Sequence, residues 1–270
     1  MPTISVNGIR TAYNAFGSGE PLILLHGGHS DRHQFDVFLP LLGEGIRAIA
    51  YDQRDAPENP YEGGDYTIRD HAADCAAFIR AIGLQRAHIM GTSYGGTVAM
   101  MTAIDFPSHV ASVVLAATTP SHAMLEPAVA DATADLDPVA VERFMLEQVI
   151  SPEAIDTDTS LVAETKAALR PRSSQAIARR MGAVQRHECR SELGMISAPT
   201  LVLHGEDDPL ISAKTAVWMA GQIAGAELKL LPGSRHGVTL QHRQRTADIV
   251  REFVLRNRMG GAGPYVLEKA

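Results

Sequence analysis

The chain has 270 residues and a mass of 29.0 kDa, the size of one large α/β domain with room for an insertion but not for a second autonomous unit. Hydrophobic residues make up 45% and charged residues 20%, which supplies a sizeable core and excludes intrinsic disorder. A net charge of −7 and a pI near 5.9 exclude the clustered positive surface on which nucleic-acid binding depends, so no nucleic-acid partner is expected.

Cys75 and Cys189 lie far apart in helical-looking stretches, so neither a disulfide framework nor a zinc site is expected, and a reducing compartment fits. Met1 to Val6 lacks the basic start and apolar stretch of a secretory signal, and no run approaches the roughly eighteen apolar residues of a membrane helix. A cytoplasmic protein without a membrane partner is expected. No internal repeat is visible, and Met259-Gly260-Gly261-Ala262-Gly263-Pro264 reads as a loose tail.

In chain order, Ile4–Val6 and Ile9–Tyr13 read as a hairpin across Asn7-Gly8, a dipeptide suited to the positive φ of a tight turn. Four continuous apolar runs follow, Leu22–Leu25, Ala48–Tyr51, His88–Met90 and Val113–Leu115, each too apolar for a half-exposed strand and so expected to be buried on both faces. Between them lie amphipathic stretches, Thr67–Ile82 and Gly95–Phe106, the first opened by Thr67 as N-cap with Asp70 three residues on. Strands alternating with helices imply a parallel sheet.

From Pro120 to Gly194 only helical patterns appear, broken at Pro127, Pro138, Pro152 and Pro171. Strand patterns return at Leu201–Leu203 and Leu228–Leu231, and a last amphipathic stretch runs from about Thr239 to Leu255. The chain therefore divides into a core (1–119 and 195–270) and an inserted helical segment (120–194), expected to act as a lid over the C-terminal ends of the strands. The plainer alternative is more helices packed on the sheet.

Chemistry concentrates in a few places. Gly91-Thr92-Ser93-Tyr94-Gly95-Gly96 is a G-x-S-x-G sequence between a strand and a helix, the context of a nucleophile elbow, where the turn tolerates almost no side chain two residues either side of the serine. His26-Gly27-Gly28-His29 follows the first buried run, and its glycines let backbone N–H groups approach a ligand. The N–H groups of Gly28 and Tyr94 are the expected oxyanion-hole donors. His26 reads as a structural histidine, His29 and His33 as solvated loop residues that could also line a pocket, and His242 as a surface residue beside Arg243.

The chain resembles the α/β-hydrolase superfamily, in particular its lid-bearing carboxylesterases, lactonases, haloperoxidase-like perhydrolases and carbon–carbon bond hydrolases. The resemblance covers about residues 9–257. It rests on His26-Gly27-Gly28, Asp52-Gln53-Arg54, the serine elbow, Gly205-Glu206-Asp207-Asp208-Pro209 and Gly233-Ser234-Arg235-His236-Gly237. It implies an α/β-hydrolase fold, with a mostly parallel sheet between helices, and a triad of Ser93, Asp208 and His236. The family spacing from Gly205 selects Asp208 over its neighbour Asp207, which then reads as a solvated or turn-capping carboxylate. Asp55-Ala56-Pro57-Glu58-Asn59-Pro60 departs from the small glycines usual after Asp-x-Arg, making that loop more rigid and polar and leaving substrate preference untransferable.

The expected activity is hydrolysis of a small carboxylic ester or lactone through an acyl-enzyme. Alternatives are carbon–carbon bond cleavage of an activated ketone by the same triad, or ligand sensing on a hydrolase fold. Serine at the elbow weighs against the dehalogenase and epoxide hydrolase chemistries that use a carboxylate nucleophile. Neither a metal nor another cofactor is called for: His187-Glu188-Cys189 has no repeated ligand spacing and reads as part of the helical segment. Arg170, Arg172, Arg179, Arg180, Arg186 and Arg190 read as a solvated face, with recognition of an anionic substrate as the other use. Met124, Phe144 and Met145 read as packing between helices, with an acyl pocket as the alternative. A homodimer is allowed.

Overall fold

In the computed structural model, residues 2–126 and 137–260 are described. Pro127, an expected helix breaker, and residues 261–264 of the expected loose tail lie outside them. Eight strands form one sheet in the order β1-β2-β4-β3-β5-β6-β7-β8. They are β1 (Thr3–Val6), β2 (Ile9–Gly17), β3 (Gly19–Leu25), β4 (Gly45–Tyr51), β5 (Ala87–Thr92), β6 (Val110–Ala116), β7 (Thr200–Gly205) and β8 (Glu227–Leu231). The first two form the expected hairpin, with Asn7 (φ 46°) and Gly8 (φ 80°) both in the left-handed region that a type I′ turn requires. β2 runs antiparallel to β4, and every pairing from β4 to β8 is parallel.

The continuous apolar runs are the central strands. Leu22 to Leu25 and every residue of β5 and β6 are buried, since helices cover both faces of the sheet. Each such aliphatic side chain withdrawn from water contributes about 2 kcal/mol. On one face lie α1 (Ile68–Ala81) and α2 (Tyr94–Asp105), with Cys75, Phe78, Val98 and Met101 packed on Ile23, Ile89 and Val113. On the other lies the terminal helix, here α8 (Arg243–Arg256), with Val250 and Phe253 packed among Leu22, Leu24 and Val114. The capping box at α1 is formed: Asp70 N–H reaches the Thr67 hydroxyl, and the Asp70 carboxylate accepts the Thr67 N–H at 2.7 Å.

Between β6 and β7 the described residues contain α3 (Pro138–Val149), α4 (Pro152–Thr157), α5 (Thr159–Ala168) and α6 (Ser174–Gln185), and no strand. Asp137, Ser151, Asp158 and Ser173 cap them. Cys189 lies outside any α-helix, just ahead of a short 3₁₀ turn. One helix was not legible in sequence, α7 (Ala213–Gln222) between β7 and β8. Its Ala216 and Met219 are buried while Val217 and Trp218 are 50% and 37% exposed, so apolar residues fall on both faces and blur the helical period.

The strand order reverses at β3. The chain leaves β3 for β4 on one side and returns to β5 on the other, so the loops after β3 and β5 face each other across a crevice at the C-terminal edge of the sheet. Gly27 and Gly28 follow β3, and Ser93 follows β5.

Candidate active site

Ser93 is the hinge between β5 and α2. Its φ of 52° and ψ of −119° place a non-glycine residue in strained left-handed backbone, at a cost on the order of 1–3 kcal/mol. The surroundings hold it there: Ser93 N–H donates to Ala116 O at 2.9 Å, and Gly96 N–H donates back to Ser93 O at 2.8 Å. The neighbours are glycine for a steric reason. A Cβ on Gly91 would run into the Gly95 carbonyl, one on Gly95 into the Leu25 carbonyl, and one on Gly96 into the Thr118 side chain. Thr118 in turn donates its hydroxyl to Ser93 O at 2.8 Å.

Asp208 follows β7 and His236 follows β8, two strand ends on the same edge of the sheet. His236 Nδ1 lies 2.7 Å from Asp208 Oδ2, and the other Asp208 oxygen accepts the N–H groups of Leu210 (2.9 Å) and Ile211 (3.1 Å). The Asp208 carboxylate is fully buried, whereas Asp207 is exposed and contacts the loop through its backbone, donating to Ser234 O. Burial alone would raise the Asp208 pKa, but the charge and hydrogen bond of His236 hold it below its ordinary 3.8. Burial would lower the His236 pKa, and the Asp208 charge outweighs this and raises it above 6.5. A second histidine, His204 of β7, stands 3.3 Å from the same carboxylate and donates from Nε2 to Ile211 O at 2.8 Å, which stiffens the turn holding the acid.

The loop after β3 lies against the elbow. A Cβ on Gly27 would sit 3.9 Å from the Ser93 Cβ, and one on Gly28 would sit 3.7 Å from the Tyr94 Cβ. Tyr94 opens α2, where backbone N–H groups have no partner within the helix. His26 is fully buried and serves the architecture: Nδ1 donates to Gly27 O (2.9 Å) and Nε2 accepts Gln53 N–H (3.2 Å). Burial, then the nearby Arg180 and Arg172, push its pKa well below 6.5, so it stays neutral in that tautomer.

Gln34, which nothing in the sequence pattern singled out, joins these loops. Its Oε1 accepts Gly27 N–H at 2.9 Å, and its Nε2 donates to Thr92 Oγ1 at 2.9 Å and reaches Thr239 Oγ1 at 3.5 Å. One carboxamide thus ties together the residue before Gly28, the residue before Ser93 and the loop that carries His236.

Of the six arginines of the inserted segment, Arg186 and Arg190 are exposed, as a solvated face would be, while the buried ones correct that reading. Arg190 is solvent-exposed and pairs with Glu188, but Arg179 and Arg180 are only 8% and 3% exposed. Arg179 forms a bidentate pair with Asp55 (2.8 and 2.6 Å). Arg180 donates to the carbonyls of Gly28 (3.1 Å), Arg54 (2.8 Å) and Gly27 (3.4 Å), and its guanidinium lies 4.0 Å from the Tyr94 ring centroid. Arg172 donates to the Asp55 and Ser30 carbonyls, and burial and the Arg180 charge lower its pKa to about 10. Arg170 pairs with Asp31 at 3.0 Å, and Arg186 donates to Tyr66 O at 3.0 Å. Gly28, His29, Tyr94, Arg172, Ile177, Arg180 and Met181 enclose a narrow cavity beside the elbow.

The Asp55–Pro60 loop is as polar as its sequence suggests. Asp55 adopts φ 60°, takes the Tyr66 hydroxyl at 2.7 Å as well as Arg179, and Glu58 pairs with Arg32 at 2.8 Å. His29 is exposed, and His33 is half-exposed and pairs with Asp36 at 2.6 Å. Met124, Phe144 and Met145 are half-buried. His242 is half-buried at the start of α8 rather than at the surface, with Nε2 enclosed.

Comparison with known proteins agrees with this architecture. The chain is 27% identical to a non-heme haloperoxidase of Rhodococcus erythropolis over 265 residues, covering 88% of this chain and 93% of the relative. It is 25% identical to the 2-hydroxymuconate semialdehyde hydrolase of Pseudomonas sp. strain CF600, covering 92% and 91%. The crystal structure of the enol-lactonase from Burkholderia xenovorans superposes with a TM-score of 0.83 at 20% identity, over 93% of this chain and 99% of that one, a likeness of fold. Residues 20–179 match the family described by its alpha/beta hydrolase fold, and the chain, with its serine-bearing elbow and buried Asp208–His236 pair, belongs to the α/β hydrolases.

Proposed function

We propose that the protein hydrolyses a small carboxylic ester or lactone through an acyl-enzyme on Ser93. The observation that carries this reading is the buried Asp208–His236 pair, placed on the same sheet edge as a serine held in strained elbow backbone. In this reading His236 Nε2 takes the Ser93 Oγ proton as Oγ bonds to the substrate carbonyl carbon, and the carbonyl electron pair moves to oxygen. Asp208 keeps the imidazole in the Nδ1–H tautomer and stabilises the imidazolium. The N–H groups of Gly28 and Tyr94 hold the oxyanion, which collapses to the acyl-enzyme as the alkoxide leaves and takes the proton from His236. Water, deprotonated by His236, then attacks the acyl carbon, and Ser93 Oγ leaves with that proton. The segment 120–194 acts as the lid, its arginines docked on the loops after β3 and β4.

Initial rates on p-nitrophenyl esters from acetate to dodecanoate and on small lactones, with wild type and Ser93→Ala in parallel, test this reading. Turnover of short substrates that disappears in the variant is expected. Similarity to the 2-hydroxymuconate semialdehyde hydrolase over most of the chain favours a second reading, carbon–carbon bond hydrolysis by the same residues. Ring-fission dienone turnover without ester turnover would select it.

A further inference from the structure

We propose that Arg180 is the positioning residue of the oxyanion hole: from α6 it fixes the peptide that presents the Gly28 donor and packs on the ring of Tyr94, the residue that presents the other, and so links the seating of the inserted segment to the competence of the hole. This rests on the serine-hydrolase reading above.

The Gly27–Gly28 peptide sets the direction of the Gly28 N–H. A trans peptide points its C=O and N–H in opposite directions, so whatever holds the Gly27 oxygen aims the Gly28 N–H. Glycines on both sides of that bond leave the peptide almost free to rotate, and its orientation has to be imposed from outside. Three donors impose it: His26 Nδ1 at 2.9 Å, Ser30 N–H at 3.3 Å and the Arg180 guanidinium at 3.4 Å. The first two belong to the same loop and move with it. Arg180 comes from a helix about 150 residues further along the chain and also grips the next carbonyl, Gly28 O, at 3.1 Å.

The same guanidinium covers Tyr94, whose backbone N–H is the second donor. It lies 4.0 Å from the ring centroid, and the Tyr94 hydroxyl is tied to His71 Nε2 at 2.9 Å, so the ring is held at both its face and its tip. Arg180 Nη1 is anchored by Arg54 O at 2.8 Å. All three of its hydrogen-bond partners are backbone carbonyls, and among the described residues no carboxylate lies within ion-pair distance of it. The buried guanidinium thus has no ion-pair partner on the loop that carries the Gly28 donor, and a field in such a buried site acts strongly. Loss of Arg180 releases the peptide orientation and removes that field together. Both losses destabilise the transition state more than the bound ester.

Arg180→Met keeps an aliphatic cover over Tyr94 and deletes the fork. With p-nitrophenyl butyrate, kcat is expected to fall about 10- to 100-fold while KM stays within about threefold. The inhibition constant of butylboronic acid, whose tetrahedral serine adduct puts an oxygen in the hole, is expected to rise by the same factor as kcat falls. Arg180→Lys should recover part of both. Arg186→Met removes a clamp just past the end of α6, the bond to Tyr66 O, and should leave both quantities within about twofold of wild type. Should Arg180→Met fail to fold, Arg180→Lys is read by the same two quantities, with a smaller parallel change expected. Wild-type kcat and boronic-acid affinity in the Arg180 variant, a change in KM alone, or equal losses in Arg186→Met would overturn the proposal while leaving Ser93-dependent turnover intact. Turnover that survives Ser93→Ala would overturn this proposal and the serine reading together.

Discussion

The carboxamide oxygen of Gln34 accepts the backbone N–H of Gly27 at 2.9 Å, and this one bond connects the loop after β3 to a side chain that also holds Thr92, the residue before Ser93. Three loops from distant parts of the chain share that amide. Gln34→Ala is expected to lower kcat on a short ester by about tenfold with a smaller change in KM, because the loops lose their mutual register rather than a substrate contact. Each lost part-buried hydrogen bond contributes about 1 kcal/mol, so a fall in melting temperature should accompany the rate effect. Gln34→Glu retains the acceptor for Gly27 and should keep more activity than Gln34→Ala in the same assay.

The pH profile follows from the Asp208–His236 pair. His236 must be neutral to act as base, and its pKa is raised above 6.5, so kcat/KM should rise with pH through a midpoint above that value. In Asp208→Asn the raising charge is gone and burial is left to act, so the midpoint should move to lower pH. The maximal rate should fall by about 10⁴-fold. The linkage to stability has opposite signs for the two partners. The His236 contribution is full below pH 6.5 and is lost as pH rises through its folded pKa, whereas the Asp208 contribution is full above 3.8 and is lost as pH falls through its own. A melting temperature for Asp208→Asn that tracks wild type down to acid pH would contradict this assignment.

The inserted segment is pinned to the core by Asp55 and Arg179, whose side chains are 2% and 8% exposed. Hydrogen bonds from Arg179 and Tyr66 outweigh burial and keep the Asp55 carboxyl below its ordinary pKa. Arg179→Ala would leave a buried carboxylate unpaired and is expected to cost about 3 kcal/mol, read as a shift of the urea midpoint. The double change Asp55→Gly with Arg179→Met removes both charges and the left-handed strain at position 55, and should recover most of that loss. A double variant no more stable than Arg179→Ala would contradict the pairing argument.

What was legible in the sequence followed short-range rules. Leu22–Leu25 and Val113–Leu115 announced central strands because only a strand covered on both faces is apolar at every position, and Asn7-Gly8 announced a hairpin because few residue pairs accept two positive φ angles. Gly91 and Gly95 flagged the elbow for a steric reason that the structure bears out, and it adds Gly96, whose missing side chain makes room for Thr118. The sequence order placed Asp208 and His236 at strand ends, where the structure brings them into contact.

The illegible part depended on partners remote in the chain. Arg179 and Arg180 sit among polar residues on an amphipathic helix and look solvated, yet their partners are Asp55 and the carbonyls of Gly27, Gly28 and Arg54, which no periodicity can pair with them. Gln34 belongs to a short 3₁₀ turn with no repeating pattern, so its three contacts were equally invisible. His242 looked exposed beside Arg243 because the turn that buries it belongs to the helix start, not to the helix period.

In the proposed mechanism Ser93 carries the covalent chemistry. The most direct measurement is the intact mass of the protein, followed by peptide mapping, after reaction with a p-nitrophenyl alkylphosphonate, run with wild type, Ser93→Ala and His236→Ala. One phosphonyl group on the peptide containing Ser93 in wild type, absent in Ser93→Ala and much slower to form in His236→Ala, is predicted. A wild-type protein that forms no adduct while fully folded, or an adduct that persists in Ser93→Ala, would contradict it.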